Sequence, residues 1–325
     1  MVPKYIISAG AMTADSTDAR KSSLPVGLRV DLRLNQINTA EISLSWKPSE
    51  PVKIGDAVTI QLGQVDEGTK KVFTGIVTEL SHQTAGYVIH CSSGLQALTL
   101  RCVNKSYEQQ KAGDIVSDIA SIAKCKKGKV SGGLSYPSYA IGAERHLLSH
   151  LLTLAARDGF DVYADADDRL CYTAFSGSPT HRLGYGAEII SYFSEEQAAT
   201  LDGVEVYGES PASLGQGDKA YSWLTKGEVR GRAGKGSGNL LRVADPSIRN
   251  QSAAGTAAER IFATLGSARK GHVNAMGTPG PVLGGAIAMA GLPDGGPSGS
   301  FKITGIKHTL DKQNGFITTV DWRKA

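Results

Sequence analysis

Apolar and polar residues alternate along the first third of the chain. In residues 28–34 every second side chain is apolar, and the side chains between them are charged. A period of two is typical of a β-strand that buries one face. Similar strand signals follow in four segments: residues 42–46, 58–62, 71–80 and 87–91. Their short connections predict a barrel or sandwich, with Trp46 among its inward-facing positions.

After Tyr107 the apolar period changes to three and four, which predicts helices. Residues 112–123 form the first helical segment, with Asp114 placed as its N-cap. A second helix is predicted over residues 143–157, with Glu144 and Arg157 in its first and last turns. Gly159 is expected to end this helix.

Two short apolar segments follow the second helix directly. Residues 160–163 and 170–172 flank the acidic stretch Asp165, Ala166, Asp167 and Asp168, which is typical of a turn. The middle third of the chain therefore predicts a small α+β unit that combines two helices with a hairpin.

Strand signals return in the last third of the chain. Residues 204–207 predict a strand, and the glycine-rich, basic residues 227–238 predict a long loop. One more helix is indicated over residues 254–265, with Gly271 beyond its end. Further strands are expected near the end of the chain, with a turn at Asn314-Gly315: residues 301–303, 306–310 and 316–322.

These elements predict an α+β, mainly β fold. Residues 1–103 are expected to form a first β domain and residues 201–325 a second one. The α+β unit, residues 104–200, is expected to lie between them as an inserted domain.

Composition excludes several classes of protein. Of the 325 residues, 41% are hydrophobic and 20% are charged, which is typical of a globular chain and not of a disordered one. The 39 glycines indicate many tight turns. A net charge of +4 is too dilute over this length to indicate nucleic-acid binding by itself.

The sequence gives no sign of a secretory or membrane segment. The first residues lack the apolar core of a signal peptide, and the most apolar later stretch, residues 282–292, is about half the roughly 20 residues that span a bilayer. The four cysteines show no metal-binding spacing, so we expect reduced thiols in a protein that folds in the cytoplasm.

One histidine pair has a spacing that suits a metal. His146 and His150 are four residues apart on a predicted helix, which places both on one face. No glutamate base lies between them and no third ligand is evident, which favours two surface or rim histidines. We therefore expect no metal and no cofactor.

Two basic segments suggest contacts with anions. Residues 227–238 lack the spacing of a phosphate-binding loop, although Arg230, Arg232 and Lys235 would suit a partner or a pore lining. Residues 124–129 hold four lysines at a helix C-terminus, where they complement the helix dipole. Solvated, structural roles are favoured for both segments.

Catalytic patterns are equally weak. The aspartates at residues 165–168 are typical of a turn, and no serine lies in a nucleophile elbow. Cys91 follows His90 directly, but neighbours along a strand point to opposite faces. The sequence therefore predicts no catalytic residues and no enzymatic activity.

The most distinctive phrase of the sequence is residues 146–160, where a helix ending in Leu-Ala-Ala-Arg-Asp-Gly runs straight into a hairpin. Shorter phrases of interest lie elsewhere in the chain: residues 73–78, 114–120, 277–280, 283–287, 291–292, 301–310 and 315–319. Together these phrases resemble the late control gene D family of phage tail baseplate hub proteins, within the wider superfamily of VgrG-like hubs. The resemblance covers most of the chain, and its motifs are structural.

The resemblance implies two tube-like β-barrel domains and a homotrimer. Three copies would form a ring that joins the hexameric tail tube to a trimeric spike and surrounds the lumen, in a virion tail baseplate or a contractile injection system assembled in the bacterial cytoplasm. The implied partners are a trimeric spike protein, the tail tube or a tube initiator, and baseplate wedge proteins, with the tape measure protein as a further candidate. Because the sequence stops at Ala325, a separate spike is expected.

The ring hypothesis makes two structural demands. Edge strands must pair between subunits, and residues 29–34 and 316–322 are candidates because of their two-residue alternation. The lumen-facing side chains should avoid strong positive charge, since a basic wall would retain passing phosphates.

Two other functions remain open at this point. A tail-tip peptidoglycan hydrolase would require an acidic cleft. A soluble nucleic-acid-binding module would use the basic runs, and its binding would be lost on changing Lys126, Lys127 and Lys129.

Overall fold

The computed structural model describes residues 2–18, 25–84, 86–196, 201–209, 228–265, 269–293 and 296–324. Ala85 of the expected turn, Gly227 of the expected loop, the domain boundary at Thr200 and the terminal Ala325 lie outside these residues.

The first part of the chain is β-structure. It contains strands β1 (Pro3–Ala9), β2 (Met12–Asp15), β3 (Pro25–Arg33), β4 (Thr39–Leu44), β5 (Ala57–Gln64), β6 (Gly68–Gln83) and β7 (Gly86–Ser92), and a 3₁₀ turn (Gly94–Leu98). The middle part contains β8 (Lys105–Lys111), α1 (Ala112–Ala123), β9 (Lys126–Val130), β10 (Ser135–Ile141), α2 (Leu147–Asp158), β11 (Asp161–Ala164), β12 (Arg169–Thr173), β13 (Thr180–Gly184) and β14 (Ile189–Glu196). The last part contains β15 (Gly203–Tyr207), β16 (Arg230–Gly234), β17 (Leu240–Ala244), α3 (Gln251–Leu265), β18 (Arg269–Met276), β19 (Ala286–Ala290), β20 (Ser300–Asp311) and β21 (Gly315–Arg323).

One sheet of 13 strands organises the molecule, in the main order β14-β18-β21-β20-β3-β4-β7-β6-β5-β1-β2, with β13 and β19 attached beside β20. Strands from the two ends of the chain meet where β3 pairs antiparallel with β20, with Val30 opposite His308. Alternate residues of β3 and β21 are buried, as the period of two predicts. The largest apolar core lines this sheet.

The expected fold class, mainly β with some helix, agrees with the structure. The expected pair of tube-like barrels is not confirmed. Among the described strands no closed barrel is present, because the N-terminal and C-terminal strands share one open sheet through the pairing of β3 with β20. The division at residues 103/104 and 200/201 stays a prediction.

The α+β unit forms around its own core. Strands β8 and β10 form one small sheet, and β11, β12 and β9 form another, both with α1 and α2 nearby. The hairpin of β11 and β12 is confirmed. Two predicted helix starts are wrong: Lys111 is the N-cap of α1, so Asp114 lies inside its first turn, and Glu144 precedes α2, whose N-cap is His146.

Three strands and α3 form a third layer with a separate apolar core. Strand β15 pairs with β16 on one side and with β17 on the other. The loop predicted over residues 227–238 is wrong for Arg230–Gly234, which is strand β16. Its glycine has a packing reason, because a Cβ at Gly231 would overlap the backbone of Ala254 in α3.

Other features also differ from the sequence predictions. Several strands were not predicted: β1, β2, β8, β9, β10, β13, β14, β17 and β18. Trp46 lies beyond the end of β4 and is 63% exposed, so it does not continue the buried face of that strand. Gly271 lies within β18 and is not a helix stop.

Candidate functional site

The last turn of α2 is where three parts of the structure meet. Leu154 and Ala155 are buried in the core of the α+β unit. Gly159 adopts a left-handed conformation (φ 63°) and its backbone N–H donates to the carbonyl oxygen of Ala155, which ends the helix as predicted. Between them, Arg157 and Asp158 reach outside the helix.

Arg157 connects α2 to the third layer. It is partly buried and forms an ion pair with Asp245, a buried residue that directly follows β17. Its guanidinium lies over the rings of Tyr136 and Tyr139, at 5.9 and 5.5 Å from their centroids. This arginine therefore binds a carboxylate of one layer while it packs on the aromatic rings of another.

Asp158 is fully buried and accepts hydrogen bonds from two sides. The Tyr172 hydroxyl donates to it at 2.6 Å and the Leu134 backbone N–H at 3.0 Å, while Arg260 of α3 lies 3.6 Å away. Burial raises the pKa of this carboxyl, and the two donors and Arg260 oppose that rise. Asp158 thus fixes β12, the segment before β10 and α3 around one side chain.

A second buried ion pair connects the hairpin to the large sheet. Lys302 of β20 and Asp161 of β11 lie 2.5 Å apart, with side chains only 6% and 5% exposed. Burial lowers the pKa of Lys302, and Asp161 opposes this shift. Nearby, Asn35 accepts from the backbone of Val162, and Asn38 donates to the carbonyl of Ala164. These polar contacts attach the hairpin to the sheet, beside the apolar contacts of Tyr163 and Cys171 with the core of the sheet.

His308 lies at the pairing of β3 with β20. Its Nδ1 is 3.0 Å from the Thr318 hydroxyl oxygen. That hydroxyl donates to the Thr278 carbonyl oxygen, so Nδ1 carries the proton that it shares with Thr318. Nε2 is buried without a partner, and burial lowers the pKa of His308 to about 4.

We expect acid to destabilise the protein through His308. His308 binds a proton near pH 6.5 in the unfolded chain but only near pH 4 in the folded chain. The free energy of unfolding therefore falls as the pH drops through this window. Between pH 7 and pH 5 the loss should be about 2 kcal/mol, at about 1.4 kcal/mol per pH unit below 6.5. In urea unfolding, His308→Asn, which keeps a polar group near Thr318, should lack this part of the pH dependence. An unchanged dependence would contradict the assignment.

Each end of the long sheet is a strand that is paired along one edge only. Within the described residues, β2 pairs only with β1 at one end, and β14 pairs with β18 at the other, apart from one bridge from Ile189 to Tyr185. At the β14 end, apolar side chains are exposed: Ile190 by 54% and Phe193 by 48%. Phe193 stacks on His272, with ring centroids 5.5 Å apart.

The strands expected to form the edges lie in the interior of the sheet. Residues 29–34 belong mainly to β3, which is paired with β4 and β20, and residues 316–322 belong to β21, which is paired with β18 and β20. Alternation reported one buried face correctly, but it does not reveal whether both backbone edges are paired. Within the described residues, the free edges are those of β2 and β14 at the two ends of the main strand order, and that of β13, which pairs only with β19.

The two histidines with metal spacing have different environments. His150 is buried and its Nε2 lies 3.1 Å from the Gly142 carbonyl oxygen, whereas His146 is exposed and contacts Cys102. Cys91 is buried and His90 lies near Glu41, so these neighbours do point to opposite faces. In the described part of the chain, no three His, Cys, Asp or Glu side chains are grouped to hold a metal ion.

The acidic turn between β11 and β12 has structural contacts. Asp165 accepts from the backbone N–H groups of Asp167 and Arg169. Asp168 accepts from the Gly94 backbone, and burial raises the pKa of its carboxyl to about 6. Asp167 pairs with Lys71 of β6 at 2.6 Å. The aspartates thus attach the hairpin to the first part of the sheet.

The basic run after α1 differs in part from its prediction. Lys124 is the C-cap of α1, in agreement with a place at the helix end, but residues 126–130 form strand β9 beside β12.

No helix in the described ranges is long and apolar enough to cross a membrane.

Sequence reasoning missed the groups that bind Arg230 and Arg232. Both arginines lie on β16 and contact Glu205 of β15. A buried glutamate between two valines in residues 203–207 was a signal that a cation lies opposite it, although it could not identify that cation.

Comparison with known proteins gives a consistent result for the fold. A 43 kDa tail protein of prophage MuSo2 from Shewanella oneidensis matches with a TM-score of 0.71 and 15% identity, covering 99% of this chain and 98% of its own. A tail protein from Neisseria meningitidis MC58 matches with a TM-score of 0.73 and 12% identity, covering 100% and 97%.

A secretion-system protein also shares the fold. The Escherichia coli c3393 protein, described as a component of the type VI secretion system with structural similarity to the T4 tail proteins gp27 and gp5, matches with a TM-score of 0.57 and 12% identity, covering 93% of this chain and 73% of its own. No family model matches the chain, and no curated protein matches it. The expected resemblance is therefore confirmed for the fold: this chain has the fold of the two phage tail proteins and of the type VI secretion component.

Proposed function

We propose that the protein is a structural hub of a phage tail or contractile injection system, which forms a trimeric ring between the tail tube and a trimeric spike. The observation that carries the proposal is the open 13-strand sheet, whose end strands β2 and β14 each keep one backbone edge unpaired within the described residues. An unpaired strand edge of this kind offers its backbone N–H and C=O groups for pairing with a strand of another chain. The shared fold of tail proteins over nearly the whole chain supports the same function.

The free edges at the two ends of the main strand order suit a head-to-tail arrangement. They belong to different strands, β2 and β14, so one copy can offer its β14 edge to the β2 end of the next. A heterologous contact of this kind gives a closed ring when the rotation between copies is 120°. Exposed Ile190 and Phe193 would then be buried at each joint.

The ring predicts a defined mass and a sensitive edge. Native mass spectrometry should show a species near three times 34.1 kDa. Phe193→Asp should weaken association by at least about tenfold, because it places a charge in a contact that becomes desolvated. Leu100→Asp is the matched control, since Leu100 is 75% exposed after the 3₁₀ turn and lies on neither free edge.

Two results would contradict this arrangement. The first is that the parent chain has the mass of one copy at every concentration tested, with and without spike and tube proteins. The second is that Leu100→Asp and Phe193→Asp weaken association equally, which would show that the edge of β14 is not the joint.

The remaining parts of the hub proposal concern its partners and its bore. The spike, the tube or its initiator, and the wedge proteins would bind the faces of the ring, and the tape measure protein would be a further contact. Side chains facing the lumen should carry little net positive charge, so that DNA or an effector passes without being held. A solved ring with a strongly basic bore would contradict this expectation.

A structural role is favoured over the alternative of a tail-tip cell-wall hydrolase. The structures that share the fold are described as tail proteins and a secretion-system component. The aspartates of the hairpin turn, which include the carboxyl with a raised pKa, are occupied by backbone and lysine donors. Clearing of cell-wall substrate by the purified chain, lost in Asp168→Asn, would instead support the hydrolase.

A further inference from the structure

The outer face of the third layer carries a group of arginines built around one carboxylate. In the register of the sheet, Glu205 of β15 lies directly opposite Arg232 of β16 and Arg242 of β17. Val204 and Val206, its neighbours in β15, point to the other face, into the core shared with α3. The polar group is therefore on the face that α3 does not cover.

Glu205 binds each of these arginines through a single nitrogen. The Nε atoms of Arg232 and Arg242 lie 2.8 and 3.1 Å from its carboxylate oxygens, and Nη2 of Arg230 lies at 2.6 Å. The Tyr207 hydroxyl donates to the same carboxylate at 2.9 Å. The hydrogen bond from Tyr207 is the main cause of a lowered pKa of Glu205, and Arg230 and Arg242 lower it further, to about 2.

The other ends of two guanidinium groups face solvent. The side chains of Arg232 and Arg242 are 52% and 67% exposed, whereas Glu205 is only 3% exposed. In the described part of the chain, Nη1 and Nη2 of both arginines have no polar partner. Because Nε is fixed on Glu205, each pair of terminal nitrogens is held ready for a bidentate contact with an oxyanion.

The surrounding charges limit the size of the partner group. Glu228 lies 3.7 Å from Arg230, and Asp202 and Glu209 pair with Lys235 and Arg249 nearby in the sequence. Even with Glu205 and Glu228 counted against the three arginines, one positive charge remains in excess. The face therefore suits one or two negative groups, not a long polyanion.

The aromatic group at this face is unsuited to stacking with bases. Arg230 lies over the Tyr207 ring at 5.1 Å and occupies its face. Binding of single-stranded nucleic acid relies on free aromatic faces in a continuous basic groove. Two carboxylates at alternate positions of an extended peptide lie on one face, about 7 Å apart. Arg232 and Arg242 lie on the two strands that flank β15, so each can bind one of these carboxylates.

We propose that Arg232 and Arg242, positioned by Glu205, form a docking site for an acidic, extended segment of a partner protein. The site extends beyond the hub function and does not depend on ring formation, because all of its residues lie in one layer of one chain. Arg232 and Arg242 would contact the partner carboxylates directly. Glu205 is a positioning residue that holds the Nε atoms of both guanidinium groups, and Arg230 is a positioning residue that holds Glu205.

The test uses the full chain and a short fluorescent peptide in which two glutamates are separated by one serine and all other residues are uncharged, with anisotropy as the readout. The same peptide with glutamine in place of glutamate should bind at least tenfold more weakly. Arg232→Gln combined with Arg242→Gln should weaken binding of the glutamate peptide at least tenfold. Lys235→Gln, a cation beside the face with an 80% exposed side chain, is the matched control and should change affinity less than twofold.

A conservative variant separates recognition from simple charge. Arg242→Lys keeps the positive charge but lacks the planar fork, so it should bind the glutamate peptide several-fold more weakly than the parent chain. Equal affinity for this variant would overturn the proposal. Thermal unfolding of each variant identifies those that fold as the parent does, and only these are compared.

Other results would overturn the proposal in distinguishable ways. An absence of peptide binding by the parent chain would show that the face is no docking site, and the mass measurement would still test the ring independently. Equal losses for Lys235→Gln and the arginine double variant would indicate a nonspecific charge effect. Tighter binding of a single-stranded DNA of equal length, lost in the double variant, would assign the face to nucleic acid.

Discussion

Lys302→Met should destabilise the protein by about 4 kcal/mol, because removing one partner of a buried ion pair leaves the other charge uncompensated. Asp161 and Lys302 are both almost completely buried, and they join the hairpin to β20. Asn35, whose amide lies 3.4 Å from Asp161, offers only a weak replacement contact. Urea unfolding at pH 7 would measure the loss of free energy.

A double variant provides the control for this ion pair. Asp161→Asn together with Lys302→Met removes both charges, so it should be more stable than Lys302→Met alone, and the two changes should be strongly non-additive. A loss below about 1 kcal/mol in the single variant would show that water reaches the pair and screens it, as at an exposed site.

Asp158→Ala should cost about 3 kcal/mol and should loosen the third layer. The change removes the acceptor for the Tyr172 hydroxyl and the Leu134 N–H, and hydrogen bonds to a charged group contribute about 1.5–3 kcal/mol each. It also removes the carboxylate that lies against Arg260 of α3. Hydrogen exchange should therefore increase in α3 at denaturant concentrations where the large sheet remains protected.

Asp158→Asn is the matched control for this position. The amide keeps the shape and one acceptor oxygen, so the Leu134 contact can remain and the loss should be near 1 kcal/mol. If alanine and asparagine had equal effects, the carboxylate would not be the group that joins these layers.

The period of apolar residues predicted the elements with one clean buried face. Strands β3, β5 and β21 and helices α1 and α3 were found in this way, since their alternation reflects local burial. Strand β16 was missed because its residues are glycines and arginines, whose place is determined by the Ala254 backbone and by Glu205. Such contacts lie far apart in sequence and leave no periodic signal.

The functional features show the same limit. The helix end at Gly159 was recognised from the sequence. The partners of the two residues before it were not, because Arg157 binds Asp245 and Asp158 binds Tyr172, and no spacing rule connects these positions. The strands chosen as ring joints had the right alternation and the wrong position. Which backbone edge stays free depends on the order of all strands in the sheet, and that order arises only in the tertiary structure.

The pairing of β3 with β20 also determines when the protein can fold during synthesis. The strand that covers one edge of β3 is made about 280 residues later, so this edge stays uncovered until β20 has left the ribosome. Contacts of such high sequence separation slow folding and leave an exposed strand edge in the nascent chain. The edge of β3, which is covered in the folded sheet, is therefore open to pairing with other chains during synthesis.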